Sequence, residues 1–356
     1  MPEKILEVNV AELMPGDVLA SDIFSPSGGI LVKKDTRITM NIIEGLRKNY
    51  NESIYVYRKL DDTKKSIHIN INDIIIKECE DIINVCINKF IKKSKNTDEI
   101  KKTVLETVRN TRVLELLFLL RALGDNSFKH SISVAVYSVA IGIELHFQQH
   151  RLNTLSTAAV LHDIGMVKVG REILNKDDSL TEKEKDIIKN HPKYGFDILN
   201  ESGWFNAEIS NVVLQHHERY DGTGYPNKIS NEKIHIMSKI IGVCDVYEAL
   251  TSDRPYRKKF RKSDTIEYLL GTGDFYFNHE IIQALINSIV IYPFGQWVEM
   301  STGEVGIVVE EEEKTIFNIR PKVMVYFDSK GRKLDIPRVL DLSSRENSNI
   351  LIERTI

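Results

Sequence analysis

His162 and Asp163 stand side by side in the run LHDIGM, and a second adjacent pair, His216 and His217, opens the run HHERYDGTGYP. A neighbouring imidazole and carboxylate at one helix end can both donate lone pairs to a cation. The second pair offers further ligands, with a glycine-rich loop behind them. The chemistry implied is metal-dependent hydrolysis inside a bundle of helices.

Periodicity places the ligands. Leu155, Ala158, Ala159 and His162 follow the i, i+3, i+4, i+7 spacing of one helix face, so His162 falls on the apolar side and Asp163 one step further round. Ile209, Val212, Val213 and His216 repeat that spacing, with His217 beside it. His130 heads a stripe with Val134, Tyr137 and Ile141, and Asp245 lies between Ile241 and Ala249. His191 closes LTEKEKDIIKNHP, where Thr181 and Glu184 form a capping box and Pro192 biases His191 to a helix break. Taken singly, an inward His is an ordinary hydrogen-bonded core residue, and a buried Asp is an ordinary cap or ion-pair partner. Five inward histidines with two aspartates are harder to explain that way. Burying them without a metal would cost on the order of several kcal/mol. A nitrogen and oxygen set without thiolate favours Fe, Mn or a similar metal over structural zinc. Seven candidates exceed the needs of one ion. Asp163 is placed to bridge two ions about 3.5–4 Å apart, the arrangement used in phosphoester hydrolysis.

The elements that must position these groups can be read along the chain. Residues 1–60 read as a small mixed α/β unit: DVLASDIF and GILVKK flank the turn SPSGG, TMNIIEGLRKNY reads as a short helix with Thr39 as N-cap, and SIYVYRKL reads as a strand. Residues 73–123 read as a helical connector. It has an apolar stripe from Ile75 to Phe90, a break at KKSKNTDE, and a second long helix ending near Gly124. Residues 124–290 carry the ligands on helices joined by loops. Residues 291–356 return to β structure, with QWVEM, VGIVVEE and KVMVYFD as strands and STGE and DSKG as turns. The fold class is mainly α, with a small unit at each end.

Composition narrows the partners. The chain of 356 residues has a net charge of −3, which argues against a duplex nucleic acid partner. Local basic runs at Lys92–Lys95 and Arg257–Lys262 are ordinary solvated faces in the first instance. The apolar stretches LELLFLL and SISVAVYSVAIGIEL fall short of a membrane span. Cys79, Cys86 and Cys244 form no CxxC pair, and with an N-terminus lacking a leader they fit a reducing cytoplasmic compartment. The stripe at Ile75–Phe90 packs on a neighbouring helix or forms a homodimer seam; periodicity does not choose.

His130, the pair His162-Asp163, His191, His216-His217 with DGTGYP, and Asp245 in VCDVYEALTSDRPYR resemble the HD-GYP subfamily of HD-superfamily phosphohydrolases. The resemblance covers about residues 120–290, and PGDVLASDIFSPSGGILVKKDTRIT and YPFGQWVEMSTGEVGIVV are similar to the segments that flank such domains. It implies an all-α catalytic domain with two or three metals that hydrolyses cyclic di-GMP to pGpG or GMP. The metal ligands carry over to His130, His162, Asp163, His191, His216, His217 and Asp245, with Asp163 at the catalytic centre. The loop carries over to Gly224, Tyr225 and Pro226. Arg254 and Arg257 match positions that hold the substrate phosphate, a role that suits guanidinium.

The chain departs from the pattern twice. Three-metal members have Glu four residues before the first His, and this chain has Asn126, so two ions are expected. The family reads HDIGK, and this chain has Met166 in place of Lys, which removes a charge and a donor. Two alternatives follow. One is a metal-bound sensor of cyclic dinucleotides with low turnover, and the other is a phosphodiesterase acting on a different cyclic dinucleotide.

Overall fold

The computed structural model describes residues 4–25, 29–50, 53–58, 71–91, 96–174, 176, 179–253, 258–309 and 320–356. It begins with strands β1 (Lys4–Val8), β2 (Val18–Leu19), β3 (Ile23–Phe24) and β4 (Ile30–Val32), helix α1 (Met40–Asn49) and strand β5 (Ile54–Arg58). Helices α2 (Ile71–Phe90), α3 (Thr97–Arg109), α4 (Thr111–Leu123), α5 (Asp125–Glu144) and α6 (Gln149–Val160) follow. After a 3-10 turn come α7 (Arg171–Leu174), α8 (Glu182–Lys189), α9 (His191–Ser202), α10 (Ala207–Gln215), α11 (Ile236–Thr251), α12 (Lys262–Gly271) and α13 (His279–Ser288). The last strands are β6 (Trp297–Met300), β7 (Val305–Val308), β8 (Lys322–Phe327), β9 (Lys333–Asp341) and β10 (Ile352–Thr355). The fold is mainly α.

The chain forms two compact units, residues 1–80 with 168–185, and residues 81–167 with 186–356. In the first, β5 pairs antiparallel with β1 and β2, in register Leu6 opposite Val56 and Val18 opposite Tyr57. Val8, Leu19, Ile38, Ile43, Leu46 and Val56 close its core. Arg58 donates from Nε to Asp17 Oδ1 at 2.6 Å and from Nη2 to Asp17 Oδ2 at 2.5 Å. Such a two-pronged pair suits a carboxylate that is 2% exposed. Thr39 precedes α1 but makes no side-chain cap, whereas the capping box at α8 is complete: Glu184 accepts from Thr181 N at 2.7 Å, and Glu184 N donates back to Thr181 Oγ1 at 3.3 Å.

The second unit is built around α5, which packs against α3, α4, α6, α11 and α13. Its buried run from His130 to Gly142 is apolar or small almost all round, as a central helix requires. The expected long helix before Gly124 is two helices. Asn110 leaves helical geometry (ψ 122°) and its side chain accepts from Arg112 N at 3.0 Å and Val113 N at 3.4 Å, capping α4. The C-terminal sheet has the order β10-β6-β7-β8-β9, over a core that includes Val298, Met300, Val323, Val325 and Leu340. Its turns at Gly303 (φ 78°) and Gly331 (φ 75°) fall in the two segments read as turns. No helix among the described residues is long and apolar enough to cross a membrane.

Candidate metal centre

Three helix ends aim three imidazoles inward. His162, His191 and His216 each follow the end of a helix (α6, α8 and α10), where the last carbonyls lack intrahelical partners. Each ring turns back and donates Nδ1–H to the carbonyl three residues earlier: His162 to Ala159 at 2.8 Å, His191 to Ile188 at 2.8 Å, and His216 to Val213 at 2.6 Å. These bonds assign the tautomer and leave Nε2 of each ring as a bare lone pair. The HD turn can lie against the start of α9 because residue 165 is glycine: a Cβ on Gly165 would come within 1.9 Å of the His191 carbonyl oxygen.

His130 and Asp245 arrive from α5 and α11. The seven candidates form two sets, His130 with His162 and Asp245, and Asp163 with His191, His216 and His217. In each set the ligand atoms lie within 4.8 Å of one another. Asp163 faces both sets. Its Oδ1 lies 3.1 Å from His191 Nε2 and 4.0 Å from His216 Nε2, and its Oδ2 lies 3.4 Å from His162 Nε2 and 3.8 Å from His130 Nε2. Asp245 spans them as well, with Oδ1 3.1 Å from His130 Nε2 and Oδ2 3.7 Å from His217 Nδ1.

The donor set fits a divalent cation on two observations. His162 Nε2 is fully buried and makes no hydrogen bond. His191 Nε2 and His216 Nε2 stand 3.2 Å apart although both Nδ1 atoms already donate, so two acceptor lone pairs face each other. With the rings neutral, both arrangements are unfavourable unless a cation draws the lone pairs together.

Burial and charge act in opposite directions here. Burial, reinforced by neighbouring imidazoles, holds His216 well below the usual histidine range, and burial brings His217 down to about 3. Burial also opposes charge on His130, but the Asp245 and Glu248 carboxylates overcome it and raise that ring to about 10. Burial pushes Asp163 and Asp245 up, yet the surrounding imidazoles outweigh it and keep both ionised.

Tyr225 stacks on His217, with ring centroids 4.7 Å apart and planes 28° from parallel. The loop that holds it is pinned by Glu218, which accepts from Asn227 N at 2.6 Å and Ile229 N at 3.2 Å. The left-handed glycine of this loop is Gly222 (φ 83°). Gly224 is needed for close approach instead: a Cβ there would lie 2.3 Å from Arg219 N and 2.5 Å from Glu218 Cα. Asn126 is exposed, and Met166 is half-buried with its N–H on the Asp163 carbonyl at 2.9 Å. Arg254 and Arg257 lie outside the described residues.

Two side chains escaped the sequence reading. Glu248 Oε2 contacts His130 Nδ1, and Glu218 clamps the loop. Glu248 stands three residues after Asp245, hence on the same face of α11, and that spacing was the available signal.

The HD domain family matches residues 101–281. The chain belongs to that family, with a site of the HD-GYP type. Curated relatives include cyclic di-GMP phosphodiesterase PA4108 of Pseudomonas aeruginosa, 33% identical over 246 residues (69% of this chain, 58% of that protein). Another is cyclic di-GMP phosphodiesterase PdeB of Borreliella burgdorferi, 30% identical over 227 residues (64% and 59%). A 3'3'-cGAMP-specific phosphodiesterase 3 of Vibrio cholerae is 38% identical over 128 residues (36% and 28%). The chain thus spans less than two thirds of the length of each of these three relatives. Among solved structures, Bd1817, an HDG"Y"P protein from Bdellovibrio bacteriovorus, aligns at 15% identity and TM-score 0.42 over 79% of this chain and 98% of that one.

Proposed function

We propose that the chain is a phosphodiesterase that hydrolyses cyclic di-GMP to pGpG or GMP at a binuclear centre loaded with Fe or Mn. The observation that carries this reading is the division of seven inward-facing ligands into two sets that share Asp163 and Asp245. Divalent ions there would activate a water at neutral pH and neutralise charge on the phosphoryl oxygens. The chain's own part is to hold the ligands in one protonation state and one aim. Asp163 and Asp245 stay ionised, and His162, His191 and His216 keep Nε2 free by donating from Nδ1. Tyr225 backs His217, and Arg254 with Arg257 would meet the substrate phosphate. The names of the Pseudomonas and Borreliella relatives support the substrate.

The same proposal takes residues 124–290 as the catalytic domain and 291–356 as its extension. It also takes a cytoplasmic setting and leaves a homodimer to be measured. A second reading, a hybrid cyclic dinucleotide as substrate, is favoured by the likeness to the Vibrio protein. The deciding experiment is anaerobic hydrolysis with Fe(II)- or Mn(II)-reconstituted protein, with metal counted in the same sample and cyclic di-GMP and cyclic GMP-AMP offered in parallel. pGpG or GMP from cyclic di-GMP is the expected result, with Asp163→Asn inactive. Turnover of cyclic GMP-AMP alone would establish the second reading. Tight binding without product from protein carrying two ions would make the chain a sensor.

A further inference from the structure

His130 is held differently from His162, His191 and His216. His162, His191 and His216 use helix-end carbonyls, which are neutral. His130 sits within α5, where the carbonyls behind it are committed to the helix. Its Nδ1 therefore needs a partner from elsewhere, and Glu248 supplies one from 118 residues along the chain. Glu248 is itself oriented, because Oε1 accepts from Ser252 Oγ at 2.7 Å. Asp245 and Glu248 fall at i and i+3 on α11, and Ser252 follows as its C-cap. One helix face thus engages the ring from both nitrogens, with Asp245 at Nε2 (3.1 Å) and Glu248 at Nδ1.

We infer that Glu248, backed by Ser252, is a positioning residue for the metal position formed by His130, His162 and Asp245, and that it sets the affinity of this position separately from its neighbour. The inference rests on the binuclear reading above. A carboxylate behind an imidazole fixes its tautomer and makes its other nitrogen a stronger donor than a carbonyl does. The His130 position therefore has a charged outer partner where His162, His191 and His216 have only neutral carbonyls.

The test is titration of metal-free protein with Mn(II) against a chelating indicator, for wild type, Glu248→Gln, Glu248→Ala and Ser252→Ala. The expected result in Glu248→Gln is one ion bound with unchanged affinity and the other weakened about 10–100-fold. Glu248→Ala should lie at or beyond that range and Ser252→Ala between it and wild type. Nitrogen NMR of the metal-free wild type should show His130 protonated at Nδ1. Equal weakening of both ions with a lowered melting temperature would mean that Glu248 is merely structural, and unchanged affinities would overturn the inference outright. A wild type that takes one ion refutes the binuclear reading instead. The positioning role then stands if that single affinity falls in Glu248→Gln, and fails if it does not.

Discussion

The Nε2 atoms of His191 and His216 face each other at 3.2 Å, each on a ring whose Nδ1 already donates to its own helix end. While both rings are neutral, both of these nitrogens are acceptors and neither has a proton to give. On the proposed reading the two lone pairs form a claw for a cation.

His216→Ala removes one half of that claw. The variant should lose metal affinity by more than the roughly 10–100-fold that follows loss of an outer partner. Its far-ultraviolet circular dichroism should stay near wild type, because α10 ends before residue 216. Metal content at wild-type level would show that these two rings are an ordinary buried pair.

Metal uptake should release a proton. His130 in the metal-free protein holds its proton up to about pH 10, while His217, at about 3, holds none at neutral pH. Loading the His130 position displaces that proton, so its affinity should rise about tenfold per pH unit between pH 6 and 8. Calorimetry in buffers of different ionisation enthalpy counts the protons. A count of zero would contradict the charge assignment at His130.

Gly165→Ala places a methyl group 1.9 Å from the His191 carbonyl oxygen, a backbone atom that cannot step aside alone. A destabilisation of about 2–4 kcal/mol is expected, with His191 displaced and metal affinity reduced. Thermal melting with and without Mn(II) reads both effects, and a neutral substitution would show that the HD turn tolerates a wider gap.

Met166→Lys restores a cation one turn after Asp163. If it reaches the substrate phosphate, turnover should rise about tenfold or more, the worth of one charge-assisted hydrogen bond, with metal content unchanged. No change in rate would mean that position 166 lies outside the reaction in this chain.

Much of the centre was legible because helical spacing reports which face a residue occupies. His162, His216 and Asp245 were placed inward by their apolar neighbours three and four residues away, and the structure puts them there. Spacing does not report what a backbone carbonyl does, so the three helix-end bonds were invisible. Glu248 was missed for a related reason: a charged residue between Tyr247 and Ala249 looks like solvent-facing helix until α5 is seen against it. The break at Asn110 was hidden by strong helix formers on either side, which carry the pattern through a residue that leaves it. β9 and β10 lack the dense apolar run that marks β8, since most of β9 is exposed.

The helix-end bond of His162, His191 and His216 has a consequence for how such centres travel between proteins. Each ring is aimed by an atom three residues away, so its orientation is inherited with a few residues of chain and does not depend on what that helix packs against. The unit that evolution or a designer can move is a helix terminus carrying one histidine, and a centre of this kind can be assembled by bringing several such termini to a common point.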